Sequence, residues 1–135
     1  MQSTDNQADR DRNNKQLVLD MWQAVIVDYS PEAVLKYLSP DYIQHNPAVP
    51  PGRDFLYNAV KELAALKRAN PSAAPHTTKR LIRAFSEDDL VVLTWALDVP
   101  EPSDPSKTYV ASAFDMFRVK DGMIVEHWDD VRKGE

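Results

Sequence analysis

The sequence predicts an α+β domain, and three observations carry that prediction. Helical periodicity dominates the first half of the chain. Apolar alternation dominates the second half. The last two β-prone runs are joined by an Asp-Gly pair, a strong short-range hairpin signal. Helices that precede a set of strands, instead of alternating with them, indicate α+β architecture. A sheet curled around one long helix would leave a cone with a mouth.

The elements follow in order. Residues 1–14 are polar and are expected to fray as a flexible tail, with a single domain over 15–135. From Lys15 to Tyr29, Leu17, Val18, Met21, Trp22, Val25, Ile26 and Tyr29 form an apolar stripe with a period near 3.6. Ser30-Pro31-Glu32 reads as an N-cap with proline at the first helical position, opening a short helix to Leu38. Ser39-Pro40-Asp41 ends that helix, and Tyr42 to His45 reads as a short strand. Residues 46–52 hold three prolines and a glycine and form a loop. A helix follows from Arg53 to Ala69, with Phe55, Leu56, Ala59, Val60, Leu63 and Leu66 on its buried side. Strands are expected over His76–Ser86, Leu90–Val99, Lys107–Val119 and Met123 to about Val131. Glu87-Asp88-Asp89 is a turn, and Pro100 to Ser106 a proline-rich loop.

Composition narrows the function classes. The chain has 135 residues, 43% hydrophobic and 27% charged, which suits one soluble globular domain with a real core. Its net charge of −5 argues against nucleic acid or an anionic membrane surface as partner. There is no cysteine, which excludes disulfides, zinc-thiolate sites and thiol catalysis. No apolar run approaches the roughly 20 residues of a spanning helix. Residues 1–16 lack the apolar core of a secretion signal, so the expected location is cytoplasmic.

The closing hairpin carries the chemistry. With Lys120-Asp121-Gly122 as a three-residue loop, Val119 faces Met123, Phe117 faces Val125 and Asp115 faces His127. These pairs share one face with Tyr109, Ala111 and Ala113. A two-residue Asp121-Gly122 loop would instead set Trp128 opposite Asp115. The three-residue loop is favoured because it buries Val119, Met123, Phe117 and Val125 together. A carboxylate among apolar groups, opposite an imidazole, has the character of a general base in a dry pocket.

Two segments resemble a known family. Tyr42-Ile43-Gln44-His45-Asn46-Pro47 is similar to the Y-x-Q-H-N-P segment of SnoaL-like polyketide cyclases. Phe114 to Asp129 resembles the D-x-F-R-V-x-D-G-x-I-x-E-H-W-D hairpin of the same group. The resemblance spans about residues 15–131. It implies the NTF2-like cone, a curved and mostly antiparallel sheet wrapped around helices, with a homodimer packed through the sheet. It further implies intramolecular aldol condensation with no metal or cofactor, on an apolar carbonyl-containing small molecule. In that chemistry a pocket aspartate removes a proton α to a carbonyl. The matching position is Asp115, with Asp129 as its rival.

Each candidate has a plainer alternative. Asp115 is read as the catalytic base, with a pKa raised by desolvation. The alternative is a strand carboxylate paired with Arg118. His127 is read as the relay or orienting group, against a half-buried histidine bonded to a backbone carbonyl. His45, at the pocket mouth, would donate to an enolate oxygen, against a histidine that caps the loop. Tyr42, Gln44 and Asn46 alternate with it and are expected to be structural, although Tyr42 also joins the substrate-contact set. That set is Trp22, Tyr29, Tyr42, Phe55, Trp95, Phe117 and Asp129, aromatic wall or core suited to a flat ligand. No H-x-H or H-E-x-x-H spacing points to a metal, and none is expected. Glu126 and Trp128 share the other face, where Trp128 suits a dimer contact. His76 is expected to be exposed. Two other function classes fit the same cone. One is a binding module without turnover. The other is an epoxide-hydrolase-like enzyme that activates water with Asp115 and Asp129.

Overall fold

The computed structural model describes residues 4–75 and 77–134. The element order is α1 (Thr4–Met21), a π-helical segment (Trp22–Val27), α2 (Pro31–Tyr37), β1 (Leu38–Gln44), α3 (Arg53–Ala69), β2 (Arg80–Glu87), β3 (Leu90–Glu101), β4 (Asp104–Lys120) and β5 (Met123–Asp129). One curved, open sheet runs in the order β1-β5-β4-β3-β2. β1 lies parallel to β5, and the other pairs are antiparallel. The α+β prediction therefore holds in class and in element order.

The helices cover one face of the sheet. Val18, Met21 and Val25 recur at helical spacing and are buried, which packs α1 and the π-helical segment into the core. α1 packs against β2 and β3, and α2 lies on α3. Ser30 caps α2 as the sequence indicates, its hydroxyl accepting from the Ala33 N–H at 3.3 Å. The inner sheet face supplies Val91, Leu93 and Trp95 from β3, and Ala113, Phe117 and Val119 from β4. This alternation places Asp115 inside, where it is 3% exposed.

Several element limits differ from the sequence reading. α1 begins at Thr4, not Lys15. Side-chain pairs one turn apart (Gln7 with Asp11, Gln7 with Arg10, Asp9 with Arg12) support this polar stretch. β1 begins at Leu38, so Ser39-Pro40-Asp41 lies in a strand. It is the sheet's edge, where proline is tolerated. β2 begins at Arg80, and His76 lies outside the described residues. The loop expected over Pro100–Ser106 shrinks to a tight turn, with Glu101 opposite Asp104. On α3, Val60 is buried, but Phe55 is 41% exposed and Leu66 is 66% exposed.

The closing hairpin departs from the expected register. Lys120 pairs with Met123, so the loop is the two residues Asp121 and Gly122. Both have positive φ, 52° and 76°, as a type I′ turn requires. Val119 then pairs with Ile124, but Arg118 pairs with Glu126. Val125 is unmatched and forms a β-bulge in β5. The bulge shifts the register by one. Phe117 therefore faces His127, and Asp115 faces Asp129. Ile124 and His127, three apart in sequence, are both buried. The bulge thus returns His127 and Asp129 to the inner face, which a two-residue turn alone would have denied them.

Candidate active site

A row of hydrogen bonds crosses four adjacent strands on the inner face. Gln44 on β1, His127 on β5, Asp115 on β4 and Trp95 on β3 are its members. The Gln44 Oε1 contacts His127 Nδ1 at 2.7 Å, and His127 Nε2 contacts Asp115 Oδ1 at 2.7 Å. The Trp95 indole N–H donates to Asp115 Oδ2 at 2.8 Å. Trp95 in turn packs on Trp22, with ring centroids 4.6 Å apart. Lys79, in the connector before β2, holds its ammonium 3.5 Å from Asp115 Oδ2.

This row fixes where protons sit. The backbone N–H of Asn46 donates to Gln44 Oε1 at 3.0 Å, which sets the orientation of the amide. That oxygen is an acceptor only, so His127 Nδ1 must carry a proton. His127 Nε2 faces a carboxylate oxygen, which also needs a proton between the two atoms. The Asp115–His127 pair therefore holds one proton beyond that of the neutral ring. Burial pushes the Asp115 carboxyl upward. The hydrogen bond from His127, the charges of Lys79 and His127, and the Trp95 N–H outweigh burial and hold it below the usual carboxylate range. The raised pKa expected from the sequence is thus reversed, because desolvation is compensated by donors on both oxygens.

A second set meets this row. The Gln44 side-chain amide donates to the Tyr42 hydroxyl oxygen at 3.0 Å. Burial, with Asp115 and Asp129 nearby, pushes the Tyr42 phenol upward, so it stays protonated as a donor. Asn46 Nδ2 donates to Asp129 Oδ2 at 2.6 Å, and the Val131 N–H donates to Asp129 Oδ1 at 3.2 Å. Together these groups line a cavity of about 330 Å³. Its apolar walls include Met21, Trp22, Ile26, Leu38, Leu56 and Phe117, and its polar groups include Tyr42, Gln44, Asn46, Lys79, Asp115, His127 and Asp129. An apolar cavity with a few convergent polar groups has the form of a small-molecule site.

The candidates divide between the cavity and elsewhere. Asp115, His127, Asp129, Trp22, Tyr42 and Phe117 line it. Trp95 is buried beside it and anchors Asp115. Tyr29 packs against the core from a positive-φ position and lies off the cavity wall. Phe55 is also off the wall, and its neighbour Leu56 takes that place.

His45 is on the outer face. Its Nε2 pairs with Glu126 at 2.6 Å, and its ring stacks on Trp128 at 4.9 Å. The same Glu126 receives Arg118, so Arg118 pairs there and with Asp89 and not with Asp115. The assignment of faces on β1 is therefore inverted from the sequence reading. Tyr42, Gln44 and Asn46 point inward because Gln44 registers with the buried His127. Gln44 and Asn46, which the sequence reading took as structural, line the cavity, and their place in the Y-x-Q-H-N-P segment is the signal that could have marked them. Lys79 and Thr77 lie in a connector with no periodic signal.

Asp115, His127 and Asp129 each offer an atom within 4.8 Å of the others, the one such cluster among the described residues. A cation there would have to displace the proton between Asp115 and His127 and stand beside the Lys79 ammonium. The donor set fits a proton better than a divalent ion. No helix among the described residues is long and apolar enough to cross a membrane.

No curated protein matches the chain. Among solved structures, TsrD from Streptomyces laurentii is similar, with 22% identity over 89% of each chain and a TM-score of 0.60. A protein from Acidithiobacillus ferrooxidans described as a "putative polyketide cyclase" is 22% identical over 87% of each chain, with a TM-score of 0.62. An NTF2-like protein of unknown function from Burkholderia pseudomallei is 17% identical, covering 89% of this chain and 91% of its own, with a TM-score of 0.58. Identities this low establish the NTF2-like fold alone. The profile of the SnoaL-like domain matches residues 18–127, which include the whole inner-face row from Gln44 to His127. The chain belongs to the SnoaL-like domain family.

Proposed function

We propose that this protein is a cofactor-independent enzyme that removes a proton α to a carbonyl and closes a ring by intramolecular aldol addition. The observation that carries this reading is a carboxylate and a proton-bearing Asp115–His127 pair within one largely apolar cavity. Acid and base held together in a dry site are what enolate chemistry needs.

Asp129 suits the base role better than Asp115. Asp115 has one oxygen engaged by His127 and the other by Trp95, and is nearly fully buried. Each Asp129 oxygen accepts one N–H, which leaves lone pairs on a carboxylate with about four acceptor sites. Asp129 takes the α-proton, and the C–H electron pair passes into the enolate. The Tyr42 hydroxyl donates to the enolate oxygen. The enolate carbon forms a C–C bond to a second carbonyl. The resulting alkoxide recovers the proton from Asp129, so atoms and charge balance. Asp115 keeps His127 oriented beside the reacting atoms.

The test is α-proton exchange in D₂O with a panel of aryl ketones and 1,3-diketones, followed by NMR. The wild type should accelerate exchange, and Asp129→Asn should lose roughly 10²–10⁴-fold of that rate. Exchange that survives Asp129→Asn unchanged sinks the base assignment. Tight binding without exchange in any variant favours a binding module instead.

One observation favours a second chemistry. The Asn46–Asp129 contact at 2.6 Å is an acid–amide pair of the kind that grips a water molecule. Incorporation of ¹⁸O from labelled water into a diol product from an epoxide panel would support a hydrolase.

The homodimer belongs to the same proposal. Among the described residues no helix covers the outer sheet face, which exposes Ile43, Phe85, Val110 and Phe114 at 49–64%. A second copy is the occupant expected there. Light scattering on a sizing column should give twice the chain mass, and Phe114→Asp should halve it.

A further inference from the structure

Lys79 is a cavity cation whose charge the Asp115 contact does not consume. The proton between His127 and Asp115 already compensates the carboxylate. Asp115 Oδ2 also receives the Trp95 N–H at 2.8 Å. The Lys79 ammonium stands off at 3.5 Å, longer than the roughly 2.7–2.9 Å of a charge-assisted hydrogen bond. It lies over the Trp22 ring, 5.6 Å from its centroid, and both residues line the cavity. The side chain is 25% exposed, so this cation is largely withdrawn from water. An ammonium carries three donors, and Asp115 engages at most one of them.

The charges on the wall make the consequence definite. Among the described lining residues the titratable groups are Tyr42, Lys79, Asp115, His127 and Asp129. Tyr42 is neutral, the Asp115–His127 pair is neutral as a unit, and Lys79 balances Asp129. When a proton moves to Asp129, the negative charge moves to the ligand oxygen. Lys79 then faces that oxygen as the one cation outside the neutral pair.

We propose that Lys79 is the counter-charge for an oxyanion in this cavity. It makes the site selective for ligands that acquire negative charge on oxygen by giving up a proton, 1,3-dicarbonyls that form enolates and related acidic carbonyl compounds. This rests on the proton-abstraction reading for its catalytic meaning. The charge preference itself is an equilibrium property and is measured apart from turnover.

The test is an absorbance titration of 1-phenyl-1,3-butanedione, whose enolate absorbs at longer wavelength than its neutral form. Its 2,2-dimethyl derivative, which has no α-proton between the carbonyls, is the neutral control. Wild-type protein should lower the apparent ionisation pH of the bound diketone by about one unit, a tenfold preference for the enolate. Lys79→Arg should keep most of that shift. Lys79→Met should lose it and bind the dimethyl control as the wild type does. Lys79→Gln serves in its place if the methionine variant does not fold. Equal enolate preference in Lys79→Met and wild type overturns the proposal. So does a wild type that binds both forms equally or binds neither. Absent α-proton exchange with the Lys79-dependent shift intact overturns the catalytic reading and leaves the charge role standing.

Discussion

Asp115 and Asp129 stand directly opposite each other across β4 and β5, yet Asp115 bonds the diagonal neighbour, His127, at 2.7 Å. Two like charges facing each other across a strand pair are unfavourable. The diagonal bond resolves this by placing a shared proton beside Asp115. Asn46 and the Val131 N–H hold Asp129 from its other side. Two acids of one type thereby acquire different surroundings.

Gln44 orients the pair. Its Oε1 accepts from both His127 and the Asn46 backbone, and its amide holds the Tyr42 oxygen. Gln44→Leu strands these donors and should cost about 1–3 kcal/mol by urea unfolding. It should also slow α-proton exchange, since His127 loses the partner that fixes its ring orientation. A stable, fully active Gln44→Leu would remove Gln44 from the site.

The bulge at Val125 sets the face of His127 and Asp129. Deleting Val125 removes the extra residue and keeps Arg118 with Glu126, Phe117 with His127 and Asp115 with Asp129. His127 and Asp129 should then stay on the inner face. The expected result is α-proton exchange retained in a variant that still folds. Loss of exchange in a folded deletion variant would show that the bulge's own geometry, and not the register alone, governs the site.

Acid should weaken the fold through Asp115. Its folded pKa lies below its unfolded value near 4, so its contribution is fully present above that value. The contribution is lost as pH falls through the folded pKa. Urea midpoints between about pH 6 and pH 2 should therefore fall more steeply in wild type than in Asp115→Asn. Parallel slopes would mean that the pair adds no pH-dependent stability.

Chelation separates proton chemistry from metal chemistry at the Asp115, His127 and Asp129 cluster. Dialysis against EDTA should leave α-proton exchange unchanged, and added Zn²⁺ should inhibit it by displacing the shared proton. Activity lost to EDTA and restored by a divalent ion would reverse that assignment.

How far the site was legible follows from particular residues. Local rules reach what repeats locally. The stripe through Val18, Met21 and Val25, the Ser30 cap, the Asp121-Gly122 turn and the strand alternation around Asp115 are all such patterns. They determined the α+β class and the element order, and they grouped Asp115 with the apolar residues of β4. The faces of Tyr42, Gln44 and His45 required the β1–β5 pairing, because alternation says which residues share a face but not which face is inside. The turn length and the Val125 bulge cancel in parity, so the right pair followed from a register that was wrong in detail. Lys79 was beyond reach, since a lysine in an aperiodic connector gains meaning only from Trp22 and Asp115 folding against it. The sequence by itself determined the fold class and the set of residues that share a strand face with Asp115, through short-range periodicity. Tertiary structure alone decided the Asp115–His127 contact, the surroundings of Asp129 and the charges that line the cavity, because these depend on atoms brought within hydrogen-bond distance from strands far apart in the chain.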